Sequence, residues 1–492
     1  VSALAPAQRV RCGAQPADAD LRGRRPMMPS DRYLLDGVRR SLDELSLAGS
    51  AGERDELVQT MQRSLDELLK RQDRARVDGL LARGQALRAR CGAQGGGAGL
   101  VDLQRALASY IDTLDDAATR DAILQWEADI AAPRSPSAED TSSRSLNLAP
   151  DALTTWFRAL WPHAPNLAVE RVRRLPGGFS KVTAIVDIAG APPGAESIVI
   201  RAEQDGSPFL MDGSDVANEY HLLRYAHRCG LPVAEPLGLE TDATRLGARF
   251  LVSRRAAGVN HGDVYGTGAS LSADMVRELV QVLARIHATP IQGDDLLVRA
   301  SHLARWSPHR TVSAFVPAYI DYWEDIARRC GIDHSPALAW TFAWLRANQP
   351  GSDAPPVLIH GDYGLHNVMM KDGKITAVLD WEASHLGDPH DEFFLFSLSM
   401  SRFVDRSTLL QWYGEAGGHR IDAARLAYFD VMSCMRGLVV SYGSLTQPER
   451  SAGSNIKTCQ IGFKHLAPHL AMLRPLIEQA EALLNSKGGV DA

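Results

Sequence analysis

The sequence has few of the features that mark membrane, extracellular or nucleic-acid-binding proteins. Its six cysteines are scattered without any C-x-x-C pair, so neither a zinc site nor a disulfide framework is indicated. It has no run of about 18 apolar residues, which argues against a membrane span. The formal net charge of −6 lacks the basic excess that nucleic acids and anionic membranes attract. We therefore expect a cytoplasmic protein with no nucleic-acid or membrane partner.

The length of 492 residues predicts about two or three domains, and composition suggests where they divide. Residues 133–149 are rich in serine and proline, which is typical of a linker. Residues 1–27 are rich in alanine, arginine and proline and end at Met27, the first of two adjacent methionines. A transit peptide is also arginine-rich, but this segment contains two aspartates and has no clear amphipathic face, which favours a disordered extension.

Residues 28–132 have the apolar spacing of amphipathic helices and predict a small all-α helical bundle. Leu34, Val38, Leu42 and Leu45 recur at intervals of three and four residues, and later segments repeat the pattern. The charged residues lie opposite these apolar stripes and show no sign of a catalytic centre. Such a bundle either docks on the rest of the chain and activates it, or only stabilises or dimerises the protein.

One stretch carries the chemistry, and it reads VLIHGDYGLHNVMMKDGKITAVLDWEASHLGDPHD from Val357 to Asp391. His360, Asp362 and Asn367 fit the kinase catalytic loop H-x-D-x-x-x-x-N, and Asp380 ends the next apolar run. Phosphoryl transfer needs a carboxylate that orients and deprotonates the acceptor hydroxyl, and oxygen ligands that hold Mg²⁺ on the phosphates. Any one of these residues alone is more often a turn residue, but the matched set favours the kinase interpretation.

These residues resemble the aminoglycoside phosphotransferase and choline kinase group, whose fold is similar to that of protein kinases. HGDYGLHN resembles the HGDxxxxN loop of that group, and LDWE resembles the segment that replaces the D-F-G of protein kinases. GDPHDE resembles its G-D-P-x-x-D/E continuation. The resemblance covers residues 150–480, and it implies ATP and Mg²⁺ as cofactors.

The same resemblance implies a role for each matched residue. Asp362 would be the catalytic base, and Asn367 and Asp380 would be the magnesium ligands. His360 would brace the loop, and Asp388 would tie the loop from behind.

Residues 150–256 predict a β-rich small lobe that holds the nucleotide. Gly177 and Gly178 lie at the tip of a predicted hairpin beside Ser180, where glycine lets backbone N–H groups approach phosphates, although such a pair often marks only a turn. The strand that carries a phosphate-binding lysine in kinases has Arg201 instead, as in the branches of the group linked to acyl-CoA dehydrogenases. Glu219 would pair with Arg201, the alternative being an exposed helical pairing, and Ser253 lies on the strand expected to line the adenine site.

Residues 257–487 predict a helical large lobe with the catalytic loop and the acceptor helices. The fold class expected is therefore α+β, a bilobal protein-kinase-like fold preceded by the helical bundle. A cluster of aromatic residues after the lobe crossing favours a core, with one or two members at the acceptor pocket. The sequence leaves ATP against GTP open, because backbone groups read the base at the lobe crossing.

The leading function is transfer of the γ-phosphoryl group of ATP to a hydroxyl of a small molecule. Arg201 makes the chain resemble kinases of hydroxyacyl-CoA catabolism, so a hydroxyacyl-CoA or hydroxy acid ranks first. Arg402, Arg406 and Arg436 are candidates for contacting a CoA thioester. Aminoglycoside-type antibiotics, sugars and amino alcohols are alternative acceptors. A nucleotide-binding adaptor without turnover is the alternative of another class.

Overall fold

The computed structural model describes residues 74–92, 99–108, 111, 116–131, 146–175, 181–203, 215–291, 299–446 and 459–488. The expected extension 1–27, the first part of the expected bundle and most of the expected linker lie outside these ranges. So do Gly177, Gly178 and Ser180 of the predicted phosphate-binding turn.

The small lobe is a five-stranded antiparallel sheet with the strand order β1-β2-β3-β5-β4. Its strands are β1 (Ala168–Arg174), β2 (Lys181–Ala189), β3 (Ser197–Glu203), β4 (Pro236–Glu240) and β5 (Phe250–Arg254). Its described helices are α4 (Pro150–Leu160), α5 (Val216–Arg228) and the short α6 (Ala243–Leu246). Leu146 is buried in the same core and the Asn147 N–H donates to the Leu246 carbonyl, so the end of the expected linker lies on the small lobe.

The two faces of this sheet have different partners because side chains alternate along each strand. One face buries Ile198, Ile200 and Phe250 with Trp156 and Phe157 of α4. The register places the next residues of β2, β3 and β5 on the opposite face. That face therefore presents its side chains toward α5 and the large lobe.

The chain crosses between the lobes after β5, as the sequence predicts. Residue Val259 exchanges two backbone hydrogen bonds with Met370 of the large lobe, at 3.0 and 2.9 Å. Gly258 has a φ of +94°, and a Cβ at this position would lie 2.0 Å from the Met370 carbonyl oxygen. Only glycine permits so close an approach of the two segments.

The large lobe is mostly helical, with two small antiparallel sheets at the cleft. Its described helices are α7 (Ala273–His287), α8 (Ser301–Ala304), α9 (Val312–Cys330), α10 (Pro336–Ala347), α11 (Phe393–Met400), α12 (Arg406–Glu415), α13 (Ala423–Thr446) and α14 (Cys459–Gly488). The strands β6 (Val357–Ile359) and β9 (His385–Gly387) form one pair, and β7 (Val368–Lys371) and β8 (Lys374–Val378) form the other. Short 3₁₀ turns cover Leu365–Asn367, Trp381–Ala383 and Pro389–Glu392. The predicted α+β bilobal kinase-like fold is confirmed.

The described helices before the small lobe are α1 (Arg74–Arg90), α2 (Leu100–Ala108) and α3 (Ala117–Ala131). Their apolar stripes belong to the same buried core as the large-lobe helices. Glu127 of α3 is fully buried and accepts hydrogen bonds from the Ala337 N–H at 2.7 Å and from the Tyr442 hydroxyl at 2.9 Å. Arg120 lies over the Trp340 ring at 5.2 Å. These helices therefore pack on α10 and α13 as well as on one another.

Within the described ranges, no helix is both long enough and apolar enough to cross a membrane.

Candidate active site

The loop between β6 and β7 holds Asp362 at the mouth of the cleft. The Asn367 side-chain amide donates to Asp362 Oδ2 at 2.8 Å and to the Asp362 carbonyl oxygen at 3.0 Å. His366 Nε2 lies 3.1 Å from the same carboxylate oxygen. The Asp362 side chain is 37% exposed, so it can meet a ligand in the cleft. The carboxylate is thus oriented from one side and open on the other.

His360 lies behind this loop and is fully buried. Its Nε2 donates to the Leu379 carbonyl at 2.9 Å, and its Nδ1 accepts from the Asp362 N–H at 3.3 Å. The ring thereby connects the loop to the strand end before Asp380. These contacts fit the bracing role that the resemblance implies.

Gly361 explains the glycine of the H-G-D motif. Its φ is +83°, and an added Cβ would lie 2.4 Å from the Ala383 carbonyl oxygen. The catalytic loop and the turn after β8 therefore touch through backbone at this point, and a larger residue would separate them.

A buried carboxylate holds the catalytic loop, but it belongs to Glu392 and not to Asp388. Glu392 accepts from the backbone N–H groups of His360, Gly361 and Tyr363 at 2.7, 3.0 and 3.3 Å. Burial acts to raise the pKa of Glu392, but His287, His360 and these amides outweigh burial and lower it to about 2. The carboxylate is therefore ionised at neutral pH.

The expectation that Asp388 ties the loop that holds Asp362 is wrong. It accepts from the His390 N–H at 2.9 Å and is ion-paired with Arg425. Its carboxylate is used within the turn Pro389–Glu392 and toward α13, so it does not reach the loop. The acidic residue that ends the segment GDPHDE is Glu392, so the motif contained the residue that holds the loop. The sequence alone did not show whether Asp388 or Glu392 has this role.

Asp380 follows β8 and is joined to the catalytic loop through its neighbour. The Leu379 N–H donates to the Asn367 carbonyl at 2.7 Å. Asp380 itself has a φ of +60°, an uncommon conformation for a residue with a side chain. Burial acts to lower the pKa of His366, but Asp362 and Asp380 outweigh it and raise that pKa, so both carboxylates act on one imidazole.

Arg201 and Glu219 meet across β3 and α5. Arg201 Nε lies 3.4 Å from Glu219 Oε1, and an Arg201 Nη donates to Asp380 Oδ1 at 2.7 Å. Glu219 is 2% exposed, so the alternative of an exposed helical pairing is wrong. Burial acts to raise the pKa of Asp380, but Arg201 and Lys181 outweigh it and lower the pKa to about 2.

Sequence reasoning missed Lys181 and Glu382, which complete this charged cluster. Lys181 is 2% exposed and donates to Glu382 Oε2 at 2.6 Å, and it lies 3.4 Å from Glu219 Oε2. Burial acts to lower the pKa of Lys181, but Glu382 and Glu219 outweigh burial and raise it. Lys181 directly follows the predicted glycine turn in the sequence, and this position was the only signal for it.

Ser253 is buried on β5, opposite Val199 of β3. Arg201 pairs with Leu251 in the same register, so Ser253 and Arg201 lie on one face of the sheet. That face is the one turned toward the large lobe. Ser253 therefore lies at a position compatible with the predicted adenine site.

The donor set suits a magnesium ion held on nucleotide phosphates. Asn367 uses its amide nitrogen on Asp362, which leaves its Oδ1 as an oxygen donor, and Asp380 supplies a carboxylate. Among the described residues, no His, Cys, Asp and Glu side chains form a ready cage of three or more. Mg²⁺ keeps several waters and takes one or two carboxylates plus phosphate oxygens, so these residues fit it.

The segment after the lobe crossing forms a wall beside the catalytic loop. The Asn260 amide donates to the carbonyls of Leu365 and His366, both at 2.8 Å. The Tyr265 hydroxyl lies 2.6 Å from His465 Nδ1 of α14, and Lys464 Nζ lies 5.3 Å from the Tyr265 ring centroid. Burial and Lys464 lower the pKa of His465 to about 4. This wall offers an acceptor both neutral and cationic groups.

Of the three arginines expected to contact a CoA thioester at the mouth of the pocket, two instead make hydrogen bonds to other residues of the large lobe. Arg436 is buried and donates to the Tyr319 hydroxyl at 2.9 Å. Arg406 makes two hydrogen bonds of 2.6 Å to Asp430. Because both neutralise buried acids, they are unsuited to meet a ligand, whereas Arg402 is exposed. The aromatic residues Trp306, Tyr319 and Trp323 are buried in the core.

The bilobal fold and the two motif-bearing loops resemble those of kinase-like phosphotransferases. Residues 211–438 match the model of the phosphotransferase enzyme family.

The chain is also similar to other proteins over part of its length. Acyl-CoA dehydrogenase family member 11 of Mus musculus is 27% identical over 209 residues, which are 42% of this chain and 25% of that protein. The match thus spans about a quarter of the length of that relative. Hygromycin-B 4-O-kinase of Escherichia coli is 24% identical over 221 residues, 44% of this chain and 62% of that protein. Among solved structures, macrolide 2′-phosphotransferase of Brachybacterium faecium matches with a TM-score of 0.38 and 21% identity, covering 67% of this chain and 98% of that chain.

Proposed function

We propose that the chain transfers the γ-phosphoryl group of ATP to a hydroxyl group of a small molecule. The observation that carries this proposal is the contact of Asn367 with Asp362, in a loop hydrogen-bonded to the residue before Asp380. An acceptor hydroxyl would meet the open side of Asp362, and Asp380 and Asn367 would hold Mg²⁺, which neutralises the phosphates.

The bonds change in one displacement. The acceptor oxygen forms a bond to the γ-phosphorus while the bond from that phosphorus to the β–γ bridging oxygen breaks, and ADP leaves. The hydroxyl proton passes to Asp362. Arg201, which presents its guanidinium at the same cleft, would contact the phosphates, and Ser253 would border the adenine. Most of the rate gain would come from positioning and from charge neutralisation.

A hydroxyacyl-CoA or hydroxy acid ranks first among acceptors. The names of the acyl-CoA dehydrogenase relatives support it, as does arginine at the position where other kinases have lysine. The exposed Arg402 offers a cation to an anionic acceptor, and Lys464, whose side chain is 43% exposed, would exchange its contact with Asp263 at 3.6 Å for the acceptor. The name of the hygromycin kinase relative supports an antibiotic as the second candidate. A cytoplasmic location, where ATP is abundant, belongs to the same proposal.

A panel of acceptors tests the function. The full chain with ATP and Mg²⁺ is offered hydroxyacyl-CoAs, free hydroxy acids, aminoglycosides, sugars and amino alcohols, and ADP release is measured. We expect turnover with the hydroxyacyl-CoA or hydroxy-acid class and only background with the others. Turnover with an antibiotic or a sugar alone would reassign the acceptor. Nucleotide binding without turnover on any acceptor would favour the adaptor alternative.

We also propose that helices α1–α3 dock on the large lobe as part of the catalytic unit, and do not serve mainly for dimerisation. The contacts of Glu127 with Ala337 and Tyr442 support docking. So does the Arg120 guanidinium, which lies 5.2 Å from the centroid of the Trp340 ring on α10.

The Glu127 carboxyl gives this docking a pH dependence. Burial, opposed by Ser335, Ala337 and Tyr442, raises the pKa of Glu127 from 4.5 to about 7. The folded state therefore keeps a proton that the unfolded chain releases at lower pH. The free energy of unfolding should fall as pH rises from about 5 to 7, by about 3 kcal/mol in total, and stay level above that.

Glu127→Gln should remove this slope, because glutamine is neutral throughout and can still accept from one partner and donate to the other. Urea unfolding of the full chain between pH 5 and pH 8 measures it, with Glu478→Gln on the exposed face of α14 as the matched control. A slope that survives in Glu127→Gln would contradict the assignment.

A further inference from the structure

Five charged side chains from both lobes meet at the nucleotide end of the cleft. Lys181 and Arg201 come from β2 and β3, Glu219 from α5, and Asp380 and Glu382 from the turn after β8. Two cations thus face three carboxylates. Kinases in general use one lysine and one helix glutamate at this place, so Lys181 is an additional cation.

The sheet register explains why Lys181 joins the cluster. Lys181 pairs with Glu203 and Thr183 pairs with Arg201, which places Lys181 and Arg201 on the same face of the sheet. Lys181 is 2% exposed, and its close contact is with Glu382 at 2.6 Å, across the lobes. Arg201 makes the parallel contact across the lobes, with Asp380.

Glu219 lies between the two cations, with Oε1 toward Arg201 and Oε2 toward Lys181, each at 3.4 Å. Neither contact is a hydrogen bond, and Arg201 Nε and Glu219 Oε2 are buried without one in the described part of the chain. The guanidinium of Arg201 is therefore only loosely held by Glu219. Its one side-chain hydrogen bond there is the bond to Asp380, and its other donors remain for a ligand.

Without Lys181, Arg201 alone would have to offset Glu219, Asp380 and Glu382. The three carboxylates would then exceed the single cation by two charges. They would hold the guanidinium and would repel the phosphates. With Lys181 present, Arg201 does not have to offset all three carboxylates, because Lys181 neutralises Glu382 and contacts Glu219 together with Arg201.

We propose that Lys181 is a positioning residue of the nucleotide site, which holds Glu382 and Glu219 so that Arg201 stays available to the phosphates of Mg–ATP. This inference rests on the proposed function, since it takes a nucleotide triphosphate as the ligand. Lys181 need not touch the nucleotide, and its effect on binding passes through Arg201.

The proposal is tested by the equilibrium binding of ATP to the full chain, measured by calorimetry. The titration is made with Mg²⁺ present and with Mg²⁺ chelated. Lys181→Met should weaken Mg–ATP binding by about tenfold or more. Lys181→Arg, which keeps the charge, should recover most of the affinity. Lys374→Met, at an exposed lysine that also pairs with a glutamate, is the matched control and should bind as the wild type does.

A second variant guards against a chain that fails to fold. Lys181→Met combined with Glu382→Gln removes both members of the cross-lobe pair, so no unpaired Glu382 carboxylate is left buried, and urea midpoints verify that it folds. It should still bind Mg–ATP weakly, because Glu219 continues to draw Arg201. Wild-type affinity in either folded variant would overturn the proposal. Absence of nucleotide binding by the wild type would instead overturn the proposed function.

Discussion

Replacing Asp362 by asparagine should lower the turnover number by about 10²- to 10⁴-fold, the range that a positioned general base contributes. Asparagine has the same shape and can still accept from the Asn367 amide, which now donates to Asp362 Oδ2 at 2.8 Å. It cannot take the proton of the acceptor hydroxyl. The loss should therefore fall on turnover, with nucleotide affinity changed little.

The measurement is ADP release with the best acceptor of the panel, beside a binding titration of Mg–ATP. Asp372→Asn is the matched control, because Asp372 lies at the exposed tip of the β7–β8 hairpin with a φ of +51°, which asparagine tolerates. The control should keep wild-type turnover. Wild-type turnover in Asp362→Asn would exclude Asp362 as the base and, with it, the assignment of the loop.

The parts of this site that the sequence predicts are those fixed by local geometry. His360, Asp362 and Asn367 lie in one short loop, and the apolar runs on either side determine where that loop begins and ends. Asp380 follows the next hairpin, whose two-residue turn pairs Lys371 with Lys374, although the register shifts between Met369 and Met370. A motif read along the chain therefore indicates a group of side chains in space.

The contacts that sequence reasoning missed depend on long-range register. Lys181 and Glu382 are separated by 201 positions, and they meet only because one sheet face is closed by the other lobe. No periodicity in either segment carries that information. The assignment of Asp388 failed for a different reason. Asp388 lies just before the turn Pro389–Glu392, and the orientation of that turn directs the Glu392 carboxylate at the loop.

The helices before the small lobe show the same difference between local structure, which the sequence predicts, and long-range contacts, which it does not. Apolar spacing predicted helices over the part of residues 74–131 that the structure describes, because spacing reports which residues share a face. It does not report what covers that face. The buried Glu127, which accepts from the first turn of α10, is the kind of contact that a helical pattern cannot foretell.

Replacing Glu392 by alanine should destabilise the protein strongly and should also reduce the turnover of the molecules that remain folded. The backbone N–H groups of His360, Gly361 and Tyr363 would lose their acceptor in a buried site. An unsatisfied buried donor costs about 1–3 kcal/mol, so the loss of an acceptor for three donors should lower the free energy of unfolding by at least about 3 kcal/mol. Because these amides belong to the loop that holds Asp362, the carboxylate would also lose its fixed position.

Glu240→Ala separates the two effects. Glu240 is likewise a buried carboxylate, and it accepts from the Asp242 N–H at 2.9 Å and from the Trp156 indole at 2.8 Å, but it lies at the end of β4, away from the catalytic loop. The Glu240→Ala substitution should lower the free energy of unfolding and leave turnover per folded molecule unchanged. Equal turnover in folded Glu392→Ala and Glu240→Ala would show that Glu392 does not position the loop.

Acid adds an independent test of Glu392. Its pKa in the folded state is about 2, below the value of 4.5 that the group has ordinarily. Its ionisation therefore stabilises the fold above the ordinary pKa, and that stabilisation, about 3 kcal/mol, is lost as pH falls from about 4.5 toward 2. Glu392→Gln does not titrate, so the difference in unfolding free energy between it and the wild type should shrink from pH 5 to pH 3. A difference that stays constant over this range would mean that another group carries the acid sensitivity of the loop.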